Sequence, residues 1–393
     1  MKVIRDAIHG NIEISEEEIG IIDSIEVQRL RRIRQLGMAY LVYPGANHTR
    51  FEHSLGVMHL AGRVSESLGL GEDEKKLLRI SGLLHDIGHM PLSHALEDLV
   101  RDYYGVTHTS LSEKIIKEMD LGNFSNREVI SIVRGEGELG KIISSPLDVD
   151  RADYLVRDSH YTGVAYGVID LERLIQSFEI SNGKVVLSEK GIKAAETLLF
   201  ARFAMYPTVY LHHVSRIADA MLTRAVLSCF LDRTLSIEEL SKMDDFDLIS
   251  FLRRQEGIPS KIMRMIDERN LYKRVVYLSR MDMDDDFFEL LTNLRSNGIK
   301  KIVEIENELA SEFNLRNGDL LIDVFPSPSF EEVEVLVKYR GEMKALEEVS
   351  FLAKVLSWAS WDYWRFGIYV PKEIRRNLSE ETVLRKLRSI LGG

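Results

Sequence analysis

Leu83-Leu84-His85-Asp86-Ile87-Gly88-His89-Met90-Pro91-Leu92-Ser93-His94 is the stretch on which the reading of this 393-residue chain turns. Three histidines and an aspartate interrupt what otherwise reads as the buried end of an apolar helix. Met alone, a histidine in such a place is more often a core residue hydrogen-bonded to backbone. The adjacency of His85 and Asp86 changes that, because imidazole beside carboxylate suits a divalent cation, and ligation lowers the cost of burying Asp86. Successive helical residues point ~100° apart, so an ion held by both sits beside their helix, and other segments complete its shell.

Two such segments stand out. One is Thr49-Arg50-Phe51-Glu52-His53-Ser54-Leu55-Gly56-Val57, where His53 opens a loosely helical pattern continued by Leu55, Met58, Leu60 and Val64. The other is Pro146-Leu147-Asp148-Val149-Asp150-Arg151-Ala152-Asp153-Tyr154, an acid-rich helix start containing Asp150. Each has a plain explanation by itself, as a cap or as a partner for the positive helix N-terminus. Together with His85 and Asp86 they make a metal site the better reading.

Composition sets the bounds. With 45% hydrophobic and 29% charged residues, the chain can fill one large core, or a core plus an appended domain. The single cysteine, Cys229, excludes an intrachain disulfide and a cysteine-rich metal motif. Lys2, Arg5 and Asp6 with no apolar segment after them do not read as a signal peptide, and no run approaches the ~18 apolar residues of a membrane span. A cytoplasmic protein without membrane contact is the expectation. A net charge of -11 argues against coating duplex nucleic acid. It leaves room for a small anion held by local cations and a metal.

The pattern predicts a mainly α protein. From Ile14 to about Leu231 helices alternate with breaks such as Gly69-Leu70-Gly71 and Gly135-Glu136-Gly137. Asn182-Gly183 between apolar flanks predicts a hairpin over 178–187, and a long helix should follow from about Lys190. Small helices are expected over 237–294, with the acidic run Asp282 to Asp286 on a solvated face. Strands are expected at 320–324 and 333–339, which are rich in β-branched residues. The expected organisation is a helical domain over 1–231 and a smaller helical and α+β region over 232–393.

At the histidine cluster the chain resembles the HD-domain phosphohydrolases, in the branch of the deoxynucleoside triphosphate triphosphohydrolases. The likeness is densest from Lys2 to about Asp158, where Asp6-Ala7-Ile8-His9-Gly10, Gln28-Arg29-Leu30, Gln35-Leu36-Gly37 and Tyr43-Pro44-Gly45-Ala46 also follow the family text, and it thins after about Thr223. The resemblance implies an HD-domain helical core and a divalent metal cation (Mn, Mg, Fe or Zn) held by His53, His85, Asp86 and Asp150. It implies attack at the α-phosphorus of a dNTP, releasing deoxynucleoside and inorganic triphosphate.

Further roles follow from the same resemblance. His94 matches the proposed general acid, with Glu97 one turn on where the human member has aspartate; His89 and His108 match other active-site histidines, although Thr109 replaces a common glutamate after His108. Arg50 and Arg151 match phosphate-facing positions, Arg151 replacing a lysine, and Tyr154 a substrate-contacting one. Gln35, Leu36, Asp158 and Tyr210 match the deoxyribose pocket, Asp158 contacting the 3′-hydroxyl and Leu36 and Tyr210 crowding the place of a 2′-hydroxyl. Lys2, Val3, Asp23, Gln28 and Arg31 match a site for a guanine nucleotide activator, dGTP or GTP, between subunits of a homo-oligomer (dimer or tetramer). Two alternatives stay open: a phosphohydrolase of nucleoside monophosphates or another phosphoester, and a non-catalytic nucleotide-responsive protein.

Overall fold

Helix Arg50–Leu68 begins where the Glu52 carboxylate accepts from the Thr49 backbone N–H at 2.5 Å and from its hydroxyl at 3.0 Å. It stops at Gly69, whose φ of 67° is the left-handed cap that a residue without Cβ adopts freely. Helix Glu72–Leu84 then returns along it and ends at His85. Helix Val149–Thr162 packs on the Arg50 helix at Gly56, where a side-chain carbon would overlap Asp153 and Arg157. These three helices bring the four expected ligands together.

The computed structural model describes residues 2–328 and 335–392. It is mainly α-helical, with three small sheets among the described residues. β1 (Lys2–Asp6) and β2 (Gly10–Ile14) form an antiparallel hairpin whose Ile12 and Ile14 join Leu55, Leu83 and Leu84 in one apolar cluster. β3 (Phe178–Ser181) and β4 (Lys184–Ser188) form the hairpin expected at Asn182-Gly183, with φ of 53° and 73° at those two residues.

The second half of the chain forms one sheet of its own and extends another. β5 (Lys273–Ser279) and β6 (Leu321–Val324) flank β9 (Arg365–Val370) in an antiparallel sheet. β5 corrects the expectation of small helices throughout 237–294: Val275 and Val276 are buried in a strand whose partner comes far later in the chain, so no local pattern marks it. The other expected strands are present as β6 and as β7 (Leu336–Tyr339), while Val333 and Glu334 lie outside the described residues. β7 pairs in parallel with β4 and antiparallel with β8 (Glu342–Ala345), so the late segment completes a sheet begun before Leu231.

Helix Ile192–Met205 continues into a π-helical turn, Tyr206–Tyr210, containing Pro207, which lacks the N–H a regular helix would use. Helix His213–Leu231 follows, burying Ala218, Met221, Leu222 and Ala225 in a core shared with Leu96, Leu99 and Leu252. Each fully buried leucine or methionine among them contributes roughly 1.5–3 kcal/mol. The tightly packed helices leave one face of the π turn and of the His213 helix open to the histidine cluster.

Candidate active site

His53 is completely buried, and its Nδ1 faces Asp153 Oδ2 at 2.8 Å. His85 gives Nδ1 to the Gly82 carbonyl at 2.8 Å. With Nδ1 so engaged on both rings, each presents Nε2 inward, and both Nε2 atoms are buried without a hydrogen-bond partner. Around them stand two carboxylates. Asp150 Oδ1 lies 3.0 Å from His53 Nε2 and 3.7 Å from His85 Nε2; Asp86 lies 3.6 Å and 3.3 Å from the same two atoms.

These donors fit a divalent cation. Ligand atoms of His53, His85 and Asp86 all lie within 4.8 Å of one another, and the imidazoles have the outer partners that fix the tautomer a metal requires. Without a cation, Asp150 and Asp153 outweigh burial and raise His53 to about 10. Asp86 is held well below the usual carboxylate range: burial opposes its charge, but Arg50, His85 and His89 outweigh that.

Behind His53 lies a buried charge network that the sequence reading did not assign. Asp153 accepts from Arg157 Nε and Nη2, each at 2.9 Å, and faces His9 Nε2 at 2.6 Å. Arg157 also donates to Asp6 at 2.8 Å, and Asp6 accepts the backbone N–H groups of Ile8 and His9 at 2.9 and 2.8 Å. The β1–β2 turn is thereby clamped against the His53 side of the cluster. The clue was Asp6-Ala7-Ile8-His9-Gly10 itself, which has a physical task here.

The segment after Gly88 carries the other histidines. His89 Nε2 stands 3.3 Å from Asp86, and its ring stacks on His108 at 4.3 Å. Glu97 bridges His94, whose Nδ1 is 2.8 Å away, and His108. Burial works against its charge, but hydrogen bonds from His108 and His94 keep Glu97 far below its ordinary value. His108 is raised by that carboxylate despite burial. Arg50, 2% exposed, joins the two halves: it pairs with Asp86, donates to Ser93 Oγ at 2.9 Å and reaches His94 Nε2 at 3.1 Å.

Just before His94, Leu92 and Ser93 both adopt left-handed backbone, with φ of 58° and 51°, which side-chain-bearing residues avoid. Buried Asp245, which the sequence reading passed over, holds this turn: it accepts from the Leu92 N–H at 2.7 Å and the Arg34 N–H at 3.0 Å. Ser93 Oγ donates to the Arg34 carbonyl at 2.7 Å.

A cavity of about 560 Å³ opens over Asp86 and Asp150. Arg50, His89, His94, Glu97, His108 and the expected substrate residues Gln35, Leu36, Arg151, Tyr154, Asp158 and Tyr210 all line it. Asp158 is held between His48 Nε2 at 2.7 Å and the Tyr210 hydroxyl, which donates at 2.8 Å. Arg151 Nη1 donates to Asp148 and to the Ser145 carbonyl, each at 2.5 Å. The Oε1 of Gln35 is buried and unpartnered. His48, Arg202 and Tyr206 were not foreseen; Arg202 had a visible signal as a lone cation in the apolar run Leu198 to Met205.

Lys2, Val3, Asp23, Gln28 and Arg31 do not line this cavity. Lys2 and Val3 are exposed on β1, Gln28 donates to the Ile22 carbonyl at 2.9 Å, and Arg31 donates to Gln28 at 2.8 Å and lies over the Phe51 ring. Among the described residues no ion pair joins Asp23 to Arg31, and no helix is long and apolar enough to cross a membrane.

Comparison with known proteins places this geometry. Residues 50–158 match the model of the HD domain, and residues 169–388 that of the HD associated region. An uncharacterized protein of Methanocaldococcus jannaschii, MJ1154, is 45% identical over 396 residues, covering 100% of this chain and 84% of that one. The deoxynucleoside triphosphate triphosphohydrolase SAMHD1 homolog of Dictyostelium discoideum is 33% identical over 310 residues, covering 70% of this chain and 60% of that one. The crystal structure of a phosphohydrolase from Bacteroides thetaiotaomicron, BT4208, superposes with a TM-score of 0.77 at 26% identity, covering 95% of this chain and 100% of that one. The chain belongs to the HD-domain phosphohydrolase family.

Proposed function

We propose that this protein hydrolyses deoxynucleoside triphosphates to deoxynucleoside and inorganic triphosphate. The observation that carries the reading is the pair of buried Nε2 atoms of His53 and His85, which make no well-formed hydrogen bond and converge with Asp86 and Asp150 oxygens 3.0 to 3.7 Å away, at the floor of a cavity walled by cations and the His94–Glu97 pair. A divalent cation of the Mn, Mg, Fe or Zn kind held by these four residues supplies a Lewis acid and an acidified water.

The chain's own residues do the rest. Arg50 and Arg151 hold phosphate oxygens, and Tyr154 packs beside them. Water adds to the α-phosphorus as the bond to the 5′-oxygen breaks, and His94, once the phosphate draws Arg50 away from its Nε2, gives a proton from that atom to the leaving oxygen. Glu97 on Nδ1 fixes the orientation of that ring, with His108 on the other side of the same carboxylate and His89 packed against Asp86. Asp158 takes the 3′-hydroxyl; the unpartnered Gln35 Oε1 supports a hydroxyl donor at this place. Leu36 and Tyr210 fill the space of a 2′-hydroxyl, which favours deoxynucleotides.

Lys2, Val3, Asp23, Gln28 and Arg31 take a guanine nucleotide, dGTP or GTP, between subunits of a dimer or tetramer. The exposure of Lys2, Val3, Asp23 and Arg31, away from the cavity, suits a second site. An oligomer mass and a rate both indifferent to dGTP and GTP would remove this part. The reaction itself is tested by turnover in ¹⁸O-labelled water: label confined to triphosphate is the expected result. Label in the deoxynucleoside, or release of orthophosphate as the first product, contradicts attack at the α-phosphorus.

A further inference from the structure

The cavity continues past His94 to a wall that the reaction above does not use. Ser215 and Asp219 stand one turn apart on helix His213–Leu231, and both line it. Ser215 is 4% exposed, and its Oγ has no hydrogen-bond partner; Asp219 Oδ1 is buried and unpartnered in the same way. A native interior satisfies nearly all such groups, so two on one helix face toward one cavity point to a ligand.

The neighbouring charges say what kind. Arg216 is engaged by Asp323, donating from Nη2 at 2.5 Å and from Nε at 3.2 Å. Arg295 donates to Asp98 at 2.6 Å and to the Val324 carbonyl at 2.7 Å. The carboxylate of Asp219 is left over. This wall therefore offers acceptors, repels a phosphate and attracts N–H donors. Apolar surface for the faces of a ring comes from Ala95, Leu211 and Pro326.

We propose that Ser215 and Asp219 read the nucleobase of the bound nucleotide and favour guanine. The inference rests on the dNTP reading above. Guanine presents N1–H and N2–H side by side, so one carboxylate takes both. Adenine and cytosine present one amino group beside a ring nitrogen that is itself an acceptor, and thymine presents one imino N–H between two carbonyls that would face the carboxylate. Burial raises Asp219 to about 7, with Arg216 opposing; donors from a base restore the charged form.

The test uses binding of α,β-imido dGTP and α,β-imido dTTP, measured by calorimetry with Mn²⁺ present and with GTP added to fill any second guanine site. Wild type should prefer the guanine analogue by about tenfold or more, Asp219→Asn should bring the two within about twofold, and Ser215→Ala should reduce the ratio. A wild-type ratio near one, or an unchanged ratio in Asp219→Asn, overturns the proposal. If melting shows Asp219→Asn unfolded, Ser215→Ala decides alone, and an unchanged ratio there overturns it. Turnover is read separately: preference without triphosphate release keeps this proposal and removes the reaction, while release without preference does the reverse.

Discussion

His53 depends on a residue that does not itself line the cavity. Asp153 fixes its Nδ1, and Arg157 and His9 hold Asp153 in turn. Asp153→Asn keeps the shape and removes the charge, so metal affinity should fall about 10–100-fold, read by metal analysis of the dialysed protein; undiminished affinity would show that Asp153 does not tune the centre. Asp150→Ala should lose metal and turnover together. His94→Ala should keep its metal while the rate drops roughly 10²–10⁴-fold; full activity would strip His94 of the acid's role. The proposed ligands could be picked out in the sequence because His85 and Asp86 are adjacent and His53 and Asp150 sit in marked helix starts. The motif at Asp6 was visible but its pairing was not, since Arg157 and Asp6 are 151 positions apart and only the fold makes them partners.

Helices set the spacing of the centre, and Gly56 controls how near two of them come. Gly56→Ala places a carbon onto the Asp153 carboxylate and Arg157, which should cost about 1–3 kcal/mol in denaturant unfolding and lower metal content as well; a variant with wild-type stability would contradict so close a contact. Glu18 ties the short helix Glu16–Ile22 to helix Glu72–Leu84, accepting from Arg79 Nε at 2.5 Å and Nη2 at 3.1 Å. Burial opposes its charge, yet Arg79 and Ser15 lower it below its ordinary value of 4.5. Its stabilisation is therefore complete above about pH 4.5 and lost as pH falls through the depressed value. Glu18→Gln should be about 2 kcal/mol less stable at pH 7, with the gap closing as the pH is taken below 4.5; a gap independent of pH would refute the linkage. Helix and hairpin signals that are local, such as Gly69 and Asn182-Gly183, were legible. The strand Lys273–Ser279 was not, because burial under a distant partner made it a strand.

Across the whole molecule, apolar clusters join early and late segments. β7 and β8 complete the sheet of β3 and β4, and Asp245, from far along the chain, steadies the turn before His94. The net charge of -11 coexists with Arg50, Arg151 and Arg202 gathered around one cavity, so local field and not total charge governs an anionic substrate. The most direct test is incubation of the purified protein with each dNTP and NTP, with Mn²⁺ or Mg²⁺, with and without GTP, followed by ion-exchange separation of products. Deoxynucleoside and inorganic triphosphate in equal amounts, from dNTPs and not from NTPs, is the predicted result; orthophosphate or pyrophosphate alone, or no turnover under any of these conditions, would contradict it.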